Sequence, residues 1–177
     1  MKRLFIYIFV MAFAVSARAA EPESTAWDHF AWGAEIGGAI DMSSNDMSTL
    51  DIGAYFGYKN SFIDIAGIGT GINVMVNNSS RAFPVYGIFR SSFRSRPSFC
   101  FADLRAGCVF NEIGNKANQV RLFLSPGVGF NLACGDSFKS YIILSYVYNG
   151  MRCDGENTEY RNVRGLDMAC VRIGITF

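Results

Sequence analysis

The sequence predicts an all-β protein: an eight-stranded antiparallel up-and-down transmembrane β-barrel. Three observations carry the prediction. Segment after segment alternates apolar residues with small or charged ones, so that one face is greasy and the other is not. The composition suits strands, with 18 Gly, 16 Phe and 8 Tyr among 177 residues and no long stretches of helix-forming Ala, Leu, Glu and Lys. The connections alternate between short and long, which places tight turns at one end of a barrel and loops at the other.

The N-terminal segment stands apart. Lys2 and Arg3 precede the apolar run Leu4–Val15, and Ala17-Arg18-Ala19 supplies a small-residue cleavage site. The reading is a signal peptide over 1–19, a short leader over 20–29 and a barrel domain over 30–177. The apolar run falls short of the roughly 20 residues that a spanning helix needs. Past it, no run of roughly 18 apolar residues remains, which excludes helical spans but not strands of about 9–11 residues. A formal net charge of +1 gives the chain no electrostatic case for nucleic acid.

The strands follow in order. In Phe30–Asp41, Phe30, Trp32, Ala34, Ile36 and Ile40 face one way, and Gly33, Glu35, Gly37 and Asp41 the other. In Leu50–Tyr58, Leu50, Ile52, Ala54, Phe56 and Tyr58 oppose Asp51, Gly53, Tyr55 and Gly57. Less regular strands are expected over Phe62–Val76, Phe83–Phe93, Phe99–Phe110 and Phe138–Asn149. In Val120–Leu132, Leu122, Leu124, Pro126, Val128 and Phe130 oppose Arg121, Phe123, Ser125, Gly127 and Gly129. In the last strand, Ala169, Val171, Ile173, Ile175 and Phe177 oppose Met168, Cys170, Arg172, Gly174 and Thr176. Tight turns are expected at Lys59-Asn60, Arg94–Pro97 and Cys134–Asp136, and loops at Ser43–Ser48, Asn77–Arg81, Asn111–Gln119 and Met151–Gly165.

A soluble barrel would turn its apolar face inward, and a membrane barrel turns it outward. The less apolar face is rich in Gly, carries charges of both signs and has little mid-strand Lys, as a narrow interior requires. Aromatic residues near strand ends, among them Phe30, Trp32, Tyr58, Phe93, Tyr146, Tyr148 and Phe177, suit interfacial girdles.

The segments Phe83–Phe110 and Leu122–Leu132, the signal peptide and the terminal Phe177 resemble the small outer-membrane β-barrel (porin-like) family common in Bacteroidetes. The resemblance implies a Gram-negative outer membrane, with membrane lipid and the barrel-assembly machinery as partners. Phe177, with Ile175 and Ile173 two and four positions earlier, is similar to the terminal signal that this machinery reads. The final strand is expected to pair with the first.

The densest polar set is Glu35, Asp51, Asp103, Arg90, Arg105, Arg121 and Arg172. It reads either as a lined conduit or as an ion-pair network filling the lumen. An eight-stranded interior is just wide enough for side chains to fill, and Tyr55, Tyr86, Phe123 and Tyr141 add bulk, so the network is preferred. The lone His29 precedes the first strand and has neither a nucleophile elbow nor a second His, so no enzyme activity is expected. No clustered ligand motif calls for a metal or cofactor. Cys100, Cys108, Cys134, Cys153 and Cys170 fall at different levels, which argues against a disulfide framework. Arg152, Asp154, Glu156, Glu159 and Arg161 in the longest loop are the candidates for recognition at the surface. The expected role is structural or surface-interacting, around a packed polar lumen. A narrow porin-like channel for small solutes and a lipid-modifying enzyme are the alternatives.

Overall fold

The computed structural model describes residues 29–43, 47–60, 63–76, 80–93, 98–113, 116–135, 138–150 and 165–177. The expected signal peptide lies outside the described residues, as do Cys153 and the recognition candidates Arg152, Asp154, Glu156, Glu159 and Arg161.

Eight strands form one closed antiparallel barrel in sequence order. They are β1 (Phe30–Asp41), β2 (Thr49–Tyr58), β3 (Ile65–Met75), β4 (Arg81–Ser92), β5 (Cys100–Ile113), β6 (Lys116–Cys134), β7 (Lys139–Gly150) and β8 (Gly165–Thr176). β1 and β8 close the ring, with Ile36 opposite Ile173 and Gly37 opposite Arg172. At the end of this seam the Phe177 amide donates to the Trp32 carbonyl at 2.8 Å, and the two rings stack with centroids 4.6 Å apart. Closure satisfies the backbone of every strand within the sheet, which is the condition for strands to stand in lipid.

The two faces divide as the alternation requires. Ile36, Ile52, Ile68, Leu122 and Ile173 are exposed on the outside, while Glu35, Tyr55, Asp103, Arg105 and Phe123 are buried inside. The outer surface is therefore an apolar band, and the small and charged residues fill the interior.

Strand limits differ from the sequence reading in several places; β4, for one, starts at Arg81, which was expected in a loop. Asn111–Gln119 was expected to be a loop, yet β5 runs on to Ile113 and β6 starts at Lys116, with Asn111 paired to Gln119. Polar side chains mark where a strand leaves an apolar medium. They do not end its hydrogen-bond ladder, which needs only backbone. The same holds for β8, which starts at Gly165 and not at Met168, and for β6, which carries Cys134 as its last residue and not as part of a turn.

Glycine sets the interior packing. Directly across the sheet, Tyr55 faces Gly33, Tyr86 faces Gly69, Phe101 faces Gly129 and Tyr141 faces Gly174. In each pair the ring lies where a β-carbon on the glycine would stand; at Gly69 that carbon would be 2.5 Å from the Tyr86 ring. The ring covers the bare backbone of its partner, a recognised way to hold strand register. Gly129→Val should therefore overpack the interior and lower the unfolding free energy by about 1–3 kcal/mol. A denaturant titration of the variant against the parent protein checks this.

Candidate functional site

At mid-barrel, two carboxylates and two guanidinium groups meet in the lumen: Glu35 of β1, Arg90 of β4, and Asp103 and Arg105 of β5. The register explains part of the meeting, since Arg90 sits directly opposite Asp103 and Arg105 follows two residues later on the same face. Barrel closure supplies the rest. Glu35 stands on β1 and Arg105 on β5, strands half the ring apart, so their contact spans the lumen.

The contacts are dense. Arg105 donates Nη1 to Glu35 Oε2 at 2.6 Å, Nη2 to Oε1 at 2.9 Å and Nε to Asp103 Oδ1 at 2.7 Å. Arg90 donates Nε and Nη2 to Asp103 Oδ2 at 3.0 and 2.8 Å, and Nη2 to Glu35 Oε1 at 3.2 Å. The charges of the four groups balance. Aromatic rings pack around them, with the Arg90 guanidinium 4.3 Å from the Tyr141 centroid and 4.6 Å from that of Phe101. Tyr141 donates its hydroxyl to Glu35 Oε1 at 2.7 Å. Having spent its proton there, Tyr141 accepts from Tyr55 at 2.7 Å, and Tyr55 bonds in turn to Thr176. This chain of hydroxyls points toward the carboxylate. Charge-assisted bonds of this kind are the strong ones, and engagement of every member is what makes their burial tolerable.

Asp51 of β2 and Arg172 of β8 form a separate pair at 3.6 Å. They meet over β1 because Gly37, opposite both of them in register, has no side chain to hold them apart. Thr49 donates to Asp51 at 2.8 Å, and Arg172 donates to Ser145 at 2.9 Å and to Ser125 at 3.3 Å. Arg121, expected in the same network, is half-buried nearer the loop end, opposite Val109.

Toward the loops the inward, buried side chains mix apolar and polar groups: Met47, Met75, Val109, Val147, Leu166 and Met168 lie beside Thr49, Asn73, Asn111 and Asn149. The packed polar lumen therefore holds apolar residues as well, and Asn111 donates Nδ2 to the Gly150 carbonyl at 2.9 Å. At the opposite, turn end, a cavity of about 110 Å³ opens above Arg90, Phe101 and Tyr141.

The remaining candidates are dispersed. His29 stacks on Tyr58 at the turn end, with centroids 5.6 Å apart. Cys108 and Cys134 are exposed, Cys100 is half-buried and Cys170 is buried, and all four are free thiols. Cys170 lies against Asp51 at 3.5 Å. Among the described residues, no group of three or more His, Cys, Asp or Glu side chains is placed to hold a metal ion.

A closed eight-stranded antiparallel sheet with an apolar outside and a charged inside is the architecture of a small transmembrane β-barrel. Solved structures that share it include two bacterial proteins. Neisserial surface protein A is similar at a TM-score of 0.58 and 13% identity, over 84% of this chain and 96% of that one. The N-terminal β-barrel domain of Pseudomonas aeruginosa OprF is similar at 0.50 and 12%, over 83% and 97%. At such identities the likeness is one of fold. No family model and no curated protein sequence matches the chain.

Proposed function

We propose that this protein is an outer-membrane barrel of a Gram-negative bacterium, akin to the small Bacteroidetes barrels it resembles. Its role is structural or surface-interacting, it is not an enzyme, and its lumen is sealed. The observation that carries the reading is the Glu35–Arg105 bridge across the lumen, backed by the buried side chains that fill it toward the loops. A solute would have to break a charge-balanced cluster and then displace the buried Met, Val, Leu and Asn side chains toward the loops. The carboxylates are committed to guanidinium groups, which leaves them unsuited to acid–base chemistry.

In this reading residues 1–19 direct export, and Ile173, Ile175 and Phe177 present the terminal signal to the assembly machinery. The exposed band meets membrane lipid, and the loop bearing Arg152, Asp154, Glu156, Glu159 and Arg161 supplies the surface for interaction.

Conductance tests the proposal. The purified barrel in planar lipid bilayers should give no discrete current steps, after its shift in gel mobility on boiling has shown it to be folded. Reproducible steps of one size would replace this reading with the narrow channel.

A further inference from the structure

We infer that the barrel interior binds one ordered water, which bridges Asp51 and Arg172 to Asn73 and Tyr86 and ties that pair to the central cluster. The site begins with two glycines. Gly53 and Gly71 pair across β2 and β3, and both lie on the inward parity of their strands. They present no side chain to the lumen, and a cavity of about 20 Å³ is left beside them. Glu35, Asp51, Asn73, Tyr86, Arg105 and Arg172 line it.

Polar groups there have hydrogen bonds left to make. Asn73 stands opposite Asp51 in register and is only 4% exposed. Its amide has no hydrogen-bond partner among the described residues, which a buried amide seldom lacks. The Tyr86 hydroxyl accepts from Arg105 Nη1 at 3.4 Å, which leaves its own proton to give. Arg172 Nη2 and Asp51 Oδ2 stand 3.6 Å apart, whereas Arg105 and Glu35 meet at 2.6 Å. A polar contact as long as the first is where a bridging water belongs. Size and charge select the ligand. A cavity of about 20 Å³ exceeds the roughly 10–15 Å³ that one water requires. Glu35 and Asp51 are each answered by an arginine, so an ion of either sign would go uncompensated. Water accepts from Tyr86 and Arg172 and donates to Asp51 and Asn73. One ordered water does not screen the cluster as bulk water would. It also leaves the lumen closed to solutes, so the inference stands apart from the sealed-lumen reading.

Water-selective NMR on the folded, isotope-labelled protein in detergent micelles tests it. The side-chain amide of Asn73 should show a cross-peak to the water resonance, with the sign of a long-lived dipolar contact and not of proton exchange. Gly53→Ala puts a methyl group into the space, 3.5 Å from the Tyr86 hydroxyl, and should abolish that cross-peak. Asn73→Leu keeps the volume and removes the amide, and its urea midpoint in lipid vesicles gives a second reading. With water bound, the variant loses hydrogen bonds and the midpoint falls. With an unpaired amide, the variant sheds a buried polar group and the midpoint rises. If Asn73→Leu does not fold, the cross-peaks of the parent and of Gly53→Ala decide the question. An assigned Asn73 amide without the cross-peak, a cross-peak that survives Gly53→Ala, or a raised midpoint in Asn73→Leu would overturn the inference.

Discussion

Replacing Arg105 by alanine is expected to lower the unfolding free energy by about 3–5 kcal/mol, the usual consequence of removing one partner from a buried ion cluster. Arg105 is 1% exposed and is the group that joins Glu35 to Asp103. Without it, two carboxylates share the single guanidinium of Arg90, and one negative charge is left uncompensated at mid-barrel. Fully engaged bonds become a desolvated anion, and the loss is set by that anion more than by the bonds removed. Glu35→Gln combined with Arg105→Met removes both charges together, and it should recover part of the stability. Urea titration in lipid vesicles, reading the folded fraction from heat-dependent gel mobility, measures both variants. A loss below about 1 kcal/mol for Arg105→Ala would mean that water already reaches the cluster, and the sealed lumen would fall with it.

How much of this was legible in the sequence depends on the range of the contact. Alternation within a strand is local, so the outward set Ile36, Ile52, Leu122 and Ile173 and the inward set Glu35, Asp103, Arg105 and Arg172 can be read from parity alone. Closure of β1 on β8 was also accessible, because a membrane barrel allows no free edge. The partners of Glu35 were not. Arg105 lies 70 residues away on the far side of the ring, and which inward residues share a level depends on how neighbouring strands are staggered. Arg121 shows the cost of lacking that information. It has the parity of the cluster and a different height, and parity carries no height. Asn111 shows a second limit: it is buried inside the barrel, donates to the Gly150 carbonyl, and strand pairing continues past it.

The way the interior is filled also changes what the inward charges mean. Free charges along the whole lumen would suit a conduit. Here Glu35, Arg90, Asp103 and Arg105 engage one another, and buried Met47, Asn111, Asn149, Leu166 and Met168 occupy the inward faces toward the loops. The four charges are thus part of the packing.

Ile36→Arg separates the membrane reading from a soluble one more sharply than any interior change. Ile36 is 62% exposed on the outer face near the middle of β1, between Ile52 and Ile173. In lipid, an arginine there must leave its guanidinium near the bilayer midplane, which should lower stability by about 2–4 kcal/mol. Met42, just beyond the loop end of the same strand, is also exposed, and Met42→Arg should cost about 0–1 kcal/mol, because the side chain reaches the interface. In water the depth dependence disappears, since both positions would be ordinary surface sites with effects within about 0.5 kcal/mol. The pair of variants, unfolded by urea from lipid vesicles, therefore measures a gradient along β1. Equal and small effects at both positions would show that the exposed isoleucines do not face a bilayer. A steep gradient would give the apolar band its physical meaning: side chains that a soluble protein buries are here turned outward because the solvent itself is apolar.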